Sequence, residues 1–267
     1  MHFWKQAQDK ANRHDKMKIL VCIKQVPDTS DIRWTENNTI CREGLESVTN
    51  PCDVYAVEEA VKLGGGAEVT ALTMGPQQAE TALRGAIAAG CGKGVLLSDR
   101  KFSGADTFAT SRTISAAIKK HLNDFNLIIC GQFASDGDTA QTGPEIAECL
   151  GIPQITYVKE IKNIEDGMIT VKRELDEGIE TVRAKLPALI CMLKGDYEPA
   201  RPLINDVMRA QNAEITVYSA EDLELRETGL KGSPTNVSKS FRMVTKHRPQ
   251  ILGSIEEVAE KIKEFNV

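Results

Sequence analysis

The chain has 267 residues, enough for one large hydrophobic core or for one core with an appendage. Its net charge of −5 and its pI near 5.6 argue against a general binder of nucleic acids or of membrane surfaces, which needs a basic stripe. The longest near-continuous apolar run, Leu186 to Leu193, is far too short to cross a bilayer, so membrane insertion is not expected.

The seven cysteines indicate a reducing compartment. Their number is odd, their spacing is wide and no Cys-x-x-Cys pair occurs, which disfavours a disulfide framework and a zinc site. Cys22, Cys130 and Cys191 lie in apolar, strand-like runs and are interpreted as small buried hydrophobes. The expected location is therefore the cytoplasm.

Residues 1–16 are polar apart from Phe3 and Trp4, and they contain no apolar segment of the kind that a secretory signal needs. We interpret them as an N-terminal extension outside the fold. The alternative is a docking segment led by the two aromatic side chains.

From Met17 onward, strand and helix patterns alternate. Residues 28–49 are polar, with room for a small hairpin, and predicted helices begin at Asn50-Pro51, after Gly75-Pro76, at Asp106 and after Gly131 to Pro144. The predicted strands between them are Ile19 to Ile23, Glu68 to Met74, Gly94 to Ser98 and Asn126 to Cys130. This βαβαβαβα series predicts an α/β fold with a doubly wound, mostly parallel sheet and helices on both faces.

The pattern changes after Gly151-Ile152-Pro153. The turn dipeptides Asp166-Gly167 and Glu177-Gly178 separate strand-like runs, which favours an antiparallel hairpin region. Residues 196–250 are polar and interrupted, so we predict an extended arm, followed by a terminal helix over 255–265. Because an arm that leaves its own core must cover something else, a partner subunit is expected. The predicted organisation is an N-terminal extension (1–16), a nucleotide-binding α/β domain (17–195) and a C-terminal arm with its helix (196–267).

The Gly-rich segment from Gly131 to Pro144 follows a buried strand and opens a helix. Free backbone N–H groups at a helix N-terminus, together with the helix dipole, suit a phosphate or pyrophosphate. Gly137 would permit close approach and unusual φ angles, and Thr139, Gln141 and Thr142 could donate hydrogen bonds. Asp136 and Asp138 are expected to cap the turn or to bind ribose hydroxyls. The alternative is an ordinary capped strand-to-helix loop, since neither GxGxxG nor GxxxxGK[ST] is matched.

Two other predicted strand ends, at Met74-Gly75-Pro76 and at Asn50 to Asp53, would converge with this segment on one edge of the sheet. The alternative is that these are three ordinary turns, which would give the same sequence pattern. The scattered histidines and the lack of HExxH or GxSxG give no sign of hydrolysis, nucleophilic catalysis or metal chemistry, so no catalytic residue and no metal ligand is predicted. A nucleotide binder of this kind is either a sensor or a carrier whose cofactor does the chemistry.

Several motifs occur in a characteristic order. They are Val21 to Pro27 (VCIKQVP), Asn50-Pro51 with Ala56 to Ala60 (AVEEA), Met74-Gly75-Pro76, Gly131 to Pro144, and Val171 to Ile190 (VKRELDEGIETVRAKLPALI). Together they resemble the β subunit of electron-transferring flavoproteins, over nearly the whole chain from Met17. One departure is Cys191, where the signature usually closes with Thr.

The resemblance implies a heterodimer with a homologous α subunit that carries one FAD. In the β subunit it implies either AMP, in carriers that relay single electrons from dehydrogenases, or a second FAD, in electron-bifurcating members. In the latter, NADH is the hydride donor, ferredoxin or flavodoxin is one acceptor, and a flavin-dependent dehydrogenase of the acyl-CoA or 2-hydroxy acid type is the other partner.

The chain resembles the FAD-holding type. The AMP-holding carriers, the housekeeping members of the family, usually have an acidic residue at the position of Gly137 and a residue other than proline at the position of Pro144. The run Gly104 to Thr110 also resembles bifurcating members, in which it lies near the β-subunit flavin where NADH docks; an ordinary helix start is the alternative. The loop Lys194 to Pro199 lacks the apolar anchor of housekeeping members, and Gly232-Ser233-Pro234-Thr235 resembles part of the arm that embraces the α subunit.

The segment and the resemblance together give the candidate cofactor-binding residues. They are Cys22, Asn50, Asp53, Met74, Gly75, Pro76, Ala105, Asp106, Thr107, Thr110, Gly131, Gln132, Asp136, Gly137, Asp138, Thr139, Ala140, Gln141 and Thr142. Besides the bifurcating and housekeeping hypotheses, two others stay open: an adenine-nucleotide sensor or adenylating enzyme, for which Pro27 to Ser30 supplies no Gly-rich loop, and a scaffold without any nucleotide.

Overall fold

The computed structural model describes residues 17–28, 33–34, 40–41, 47–63, 68–236 and 253–265. The predicted extension 1–16 lies outside the described residues. The strands, in chain order, are β1 (Lys18–Cys22), β2 (Gln25–Pro27), β3 (Arg33–Trp34), β4 (Ile40–Cys41), β5 (Ser47–Thr49), β6 (Glu68–Met74), β7 (Lys93–Leu97), β8 (Leu127–Gly131), β9 (Gln154–Glu165), β10 (Met168–Leu175), β11 (Gly178–Lys185), β12 (Ala188–Met192) and β13 (Ile215–Tyr218). The helices are α1 (Pro51–Lys62), α2 (Glu80–Ala88), α3 (Thr107–His121), α4 (Thr142–Leu150), α5 (Ile204–Gln211), α6 (Gly229–Gly232) and α7 (Ile255–Phe265).

One nine-stranded sheet organises the chain, in the order β11-β10-β9-β12-β8-β1-β6-β7-β13. All neighbouring pairs from β9 to β13 are parallel, whereas β10 is antiparallel to both β9 and β11. The doubly wound, mostly parallel sheet predicted from the sequence is therefore confirmed, as is the antiparallel hairpin region. The small hairpin for which residues 28–49 have room corresponds to the antiparallel pair β3–β4, and β2, just before this range, pairs antiparallel with β5.

The alternation of side chains along β1 shows why both faces of the sheet need helices. Ile19 and Val21 point to one face and join a core cluster with residues of α1 and α2, while Leu20 points to the other face and joins a cluster with residues of α3 and α4. Both sets are buried, as expected for strands that are covered on both faces.

The predicted C-terminal arm needs a correction. We expected residues from 196 onward to leave the core, but β13 pairs with β7 and extends the sheet, and Ala210, Ala220 and Leu223 are buried. Pattern reasoning missed β13 because it is four residues long and its Thr216 and Val217 side chains are exposed. The terminal helix is confirmed over Ile255–Phe265.

Candidate functional site

The strand order reverses between β1 and β8. The strands β6 and β7 lie on one side of β1, and the chain then returns to place β8 and β12 on the other side. In open α/β sheets, the crevice beyond the carboxyl ends of the strands at such a point is where ligands bind. The predicted cofactor-binding residues lie at the carboxyl ends of β1, β6 and β8, or at the amino ends of α1, α3 and α4.

Asn50 and the loop after β8 are joined directly. The Asn50 side chain donates to the carbonyl oxygen of Phe133 (2.9 Å) and accepts from the backbone N–H of Ser135 (3.1 Å). The helix begins at Pro51 as predicted, but the Asn50 side chain does not cap it. Its amide is used to hold the Gly-rich segment against α1, and it is buried there.

The buried side chain of Asp53, in the first turn of α1, links the ends of β1 and β8. Its carboxylate accepts from the backbone N–H of Lys24 at the end of β1 (2.7 Å) and from that of Gly131 at the end of β8 (3.1 Å). Burial raises the pKa of Asp53 to about 7, although hydrogen bonds from Asn50, Lys24 and Gly131 and the charge of Lys24 act to lower it. Asp53 therefore ties together the two strand ends between which the strand order reverses.

The conformation of the Gly-rich loop differs from expectation at Gly137. The residues with positive φ are Asp138 (50°) and Ala140 (55°), whereas Gly137 is not in that region. A Cβ atom at Gly137 would meet nothing within 4 Å. Gly137 thus does not use the freedom of φ that glycine permits; its neighbours Asp138 and Ala140 carry the left-handed conformation, and Gly137 faces open space.

Lys24, which follows β1, was not among the predicted site residues. Its ammonium group pairs with both carboxylate oxygens of Asp136, at 2.7 and 2.9 Å. This pairing compensates the negative charge of Asp136 beside the loop. The sequence feature that could have identified Lys24 is its position just past the carboxyl end of the first strand, where ligand contacts are expected in sheets of this kind.

The helix α4 presents its N-terminus at the end of the loop. Gln141, at the N-cap position, makes no side-chain capping hydrogen bond, and its backbone carbonyl accepts from the N–H of Glu145 (3.0 Å). Because Pro144 has no N–H, the first-turn donors that the helix itself does not use are those of Thr142 and Gly143. Gly143 is buried against β12, where an added Cβ would lie 2.5 Å from Sγ of Cys191. Small size at Gly143 therefore brings the first turn of α4 directly onto the sheet.

Asp106, at the N-terminus of α3, uses both of its carboxylate oxygens in hydrogen bonds within the protein. One carboxylate oxygen caps the helix by accepting from the N–H of Ala109 (2.9 Å), and the other accepts from both the N–H and the hydroxyl of Thr235 (3.0 and 2.7 Å). The backbone N–H of Asp106 donates to Ser233 (2.9 Å). Burial alone would raise the pKa of Asp106, but these hydrogen bonds outweigh it and lower the pKa. Asp106 thus anchors the segment that leads toward the C-terminus.

Gln132 is buried, and its side-chain oxygen accepts from the backbone N–H of Tyr157 (2.6 Å). Tyr157 has a φ of 57° in β9, close to a register shift between β9 and β12. Gln132, a predicted cofactor-binding residue, therefore uses its side-chain oxygen to support this irregularity of the sheet.

The remaining predicted residues divide into two groups. Ala105, Thr107 and Thr110 lie at the start of α3, where the Thr107 hydroxyl is 3.4 Å from Oε1 of Gln141, so this run and the Gly-rich loop meet. The other group is Met74, the last residue of β6, with Gly75 and Pro76 directly after it; β6 lies on the far side of β1 from β8, which precedes the loop. The N–H of Gly75 donates to the carbonyl of Leu97 in β7, on the far side of β6 from β1.

Three cysteines lie side by side on the adjacent strands β1, β8 and β12, at or near the carboxyl ends of these strands. In the sheet register, Cys22 is opposite Cys130, and Cys130 is opposite Cys191. Burial raises the pKa of the Cys191 thiol to about 12, which keeps it neutral. Cys130 and Cys191 are buried as predicted, whereas Cys22 is only partly buried because it is the last residue of β1. Among the described residues, no group of three or more His, Cys, Asp and Glu side chains is arranged to hold a metal ion.

With this geometry in view, comparison with known proteins identifies the family. The model of the electron transfer flavoprotein domain matches residues 37–223. An electron transfer flavoprotein subunit beta from Thermoanaerobacterium thermosaccharolyticum is 44% identical over 255 residues, which cover 93% of this chain and 97% of the relative. The chain belongs to the electron transfer flavoprotein β-subunit family.

Two further relatives in this family are named for larger assemblies. The caffeyl-CoA reductase-Etf complex subunit CarD of Acetobacterium woodii is 40% identical and is matched over 94% of this chain and all of the relative. The acryloyl-CoA reductase electron transfer subunit gamma of Anaerotignum propionicum is 46% identical over 236 residues, which cover 84% of this chain and 88% of the relative. Membership of the family implies association with a flavin or with AMP. Across the part of the chain that the structure describes, no helix is both long and apolar enough to span a membrane.

Proposed function

We propose that the chain is the FAD-holding β subunit of an electron-bifurcating complex with an electron transfer flavoprotein α subunit. In this proposal NADH is the electron donor. Ferredoxin or flavodoxin is one acceptor, and a flavin-dependent dehydrogenase of the acyl-CoA or 2-hydroxy acid type, reached through the α subunit, is the other. When bound, FAD would supply the two-electron and one-electron chemistry.

The observation that carries the proposal is the open space at Gly137. A Cβ there would meet nothing within 4 Å, so the described chain places no steric limit beside Gly137 on a cofactor larger than a single phosphate. The first turn of α4, uncapped by Gln141, provides N–H groups and the positive end of a helix dipole for a pyrophosphate. An acidic side chain at position 137 would project into the same space and repel the phosphates.

The local charges support the same reading. The negative charge of Asp136 is compensated by the ammonium group of Lys24. The carboxylate of Asp106 keeps its charge and is stabilised by hydrogen bonds from backbone N–H groups and a hydroxyl of the chain. Asn50 and Asp53 act indirectly, because their side chains hold the backbone of the loop and of the two strand ends. We assign them the role of fixing the loop on which the cofactor rests.

The test is the number and kind of nucleotides in the purified αβ complex. Acid release followed by chromatography should yield two FAD per complex and no stoichiometric AMP. One FAD and one AMP would instead support the housekeeping carrier, and the absence of a β-subunit nucleotide would support the scaffold. A complex with two FAD should also reduce ferredoxin with NADH only when the dehydrogenase and its substrate are present.

A further inference from the structure

The helix α3 carries a polar stripe along the side that faces α4. Four hydrophilic residues recur at intervals of four, which places them on one helix face; they are Thr107, Ser111, Ser115 and Lys119. The first two contact the Glu145 side chain. Further along, the hydroxyl of Ser115 donates to the carbonyl of Ile146 (3.5 Å), and the ammonium group of Lys119 donates to the carbonyl of Cys149 (2.6 Å). Hydrogen bonds thus join α3 to α4 along its length.

Glu145, in the first turn of α4, makes the contacts nearest the crevice. Its Oε1 lies 3.1 Å from the hydroxyl of Thr107, and its Oε2 accepts from Ser111 (3.0 Å), which is fully buried. The Ser111 hydroxyl is also 3.2 Å from the carbonyl oxygen of Thr142, so its proton is shared between the side chain and the backbone of the same helix turn. Each carboxylate oxygen of Glu145 therefore meets a different residue of α3.

An acidic residue in the first turn of a helix commonly serves only to balance the helix dipole. Glu145 does more than this, because both of its oxygens are used by another helix. The apolar contact between α3 and α4 is non-directional, and the buried residues of α4 include the small Gly143 and Ala147. Directional hydrogen bonds are what can fix how far α4 is shifted along α3.

We propose that Glu145 is a positioning residue, which sets the place of the first turn of α4 relative to the N-terminus of α3. The Gly-rich loop precedes α4, and the run Gly104 to Thr110 opens α3, so the same contact sets the gap between these two parts of the crevice. The inference rests on the proposed function, in that the first turn of α4 holds the phosphates of a nucleotide. The hydrogen bonds of the Glu145 carboxylate to Thr107 and Ser111 are both to α3, so its proposed effect on a nucleotide is through the position of α4.

The test is a double-mutant cycle on the full chain, with FAD and AMP each titrated into protein freed of nucleotide. Glu145→Ala should raise the Kd of the nucleotide that binds by about tenfold, which corresponds to about 1.4 kcal/mol. Glu145→Gln keeps one acceptor oxygen and should stay within about threefold of the unmodified chain. Adding Ser111→Ala to Glu145→Ala should cause little further loss, because both changes remove the same contact. Glu148→Ala, on the exposed side of α4, is the matched control and should change nothing.

Hydrogen exchange gives a measurement that does not need a nucleotide. Glu145→Ala should speed exchange of the backbone amides in residues 142–147 by about tenfold and leave β12 unchanged. The proposal is overturned if this exchange is unaltered, if Glu145→Ala binds nucleotide within twofold of the unmodified chain, or if the Ser111 and Glu145 losses add in full. Which nucleotide the unmodified chain binds is a separate result. That result tests the proposal that the chain holds FAD and does not bear on the role of Glu145.

Discussion

Gly131→Ala should be strongly destabilising, because α1 starts directly above the end of β8. A Cβ atom at Gly131 would lie 2.2 Å from Oδ1 of Asp53, 2.8 Å from Cβ of Cys52 and 3.0 Å from the backbone nitrogen of Asp53. Gly131 does not have a positive φ, so the requirement is for space and not for a special backbone conformation. Since one of the three atoms belongs to the backbone, a side-chain rotation of Asp53 cannot relieve the whole overlap.

Two costs combine in this variant. Forcing an additional carbon into a packed site costs about 1–3 kcal/mol. Displacing Asp53 also breaks its hydrogen bonds from the N–H groups of Gly131 and Lys24, and a buried polar group left without a partner costs about 1–3 kcal/mol. The two costs together predict a loss of about 2–6 kcal/mol. This is a large share of the roughly 5–15 kcal/mol by which native proteins are stable.

Urea unfolding of the full chain, followed by circular dichroism, measures this loss. Gly137→Ala is the matched control, because the same added carbon meets nothing within 4 Å, and we expect a change within about 0.5 kcal/mol. A loss below about 1 kcal/mol for Gly131→Ala, or an equal loss for the two variants, would refute the reasoning that α1 is pressed onto β8 at this point.

Three further predictions concern the candidate site. The pKa of Asp53 is about 7 in the folded chain against the ordinary 3.8, so the folded chain binds one more proton between these values. The free energy of unfolding of the chain should therefore fall as the pH rises through this window, by at most about 1.4 kcal/mol per pH unit. Urea unfolding from pH 5 to 8 measures this fall, and Asp53→Asn should remove it. Gly137→Glu should lower FAD affinity about tenfold through repulsion of the phosphates, measured as FAD retained per purified complex; unchanged retention would contradict an open phosphate site there. Asp106→Ala removes the cap of α3 and the anchor of Thr235, so we expect a loss of about 1–2 kcal/mol and faster proteolysis within residues 228–236, with unaltered cleavage counting against the anchor.

The elements that the sequence predicted well are those with a strong periodic pattern. The apolar runs of β1, β6, β7 and β8 identified strands covered on both faces, and the spacing of Ile255, Val258 and Ile262 located α7 with both of its ends. The strand β13 was not predicted, because four half-exposed residues carry too little hydrophobic pattern to distinguish a strand from a loop. Local periodicity reports burial, so it fails where an edge strand is only partly buried.

The sequence by itself determined the α/β class, the Gly-rich loop at a strand-to-helix junction and the resemblance to the flavoprotein family. These depend on neighbours along the chain, whose spacing is visible in the sequence. Only the tertiary structure decided what the polar side chains do: Asn50 and Asp53 hold backbone groups more than 75 residues away, and Glu145 contacts α3 more than 30 residues earlier. The physical reason is that a buried polar group must find a hydrogen-bond partner. Which partner it finds depends on which distant segments the sheet brings together.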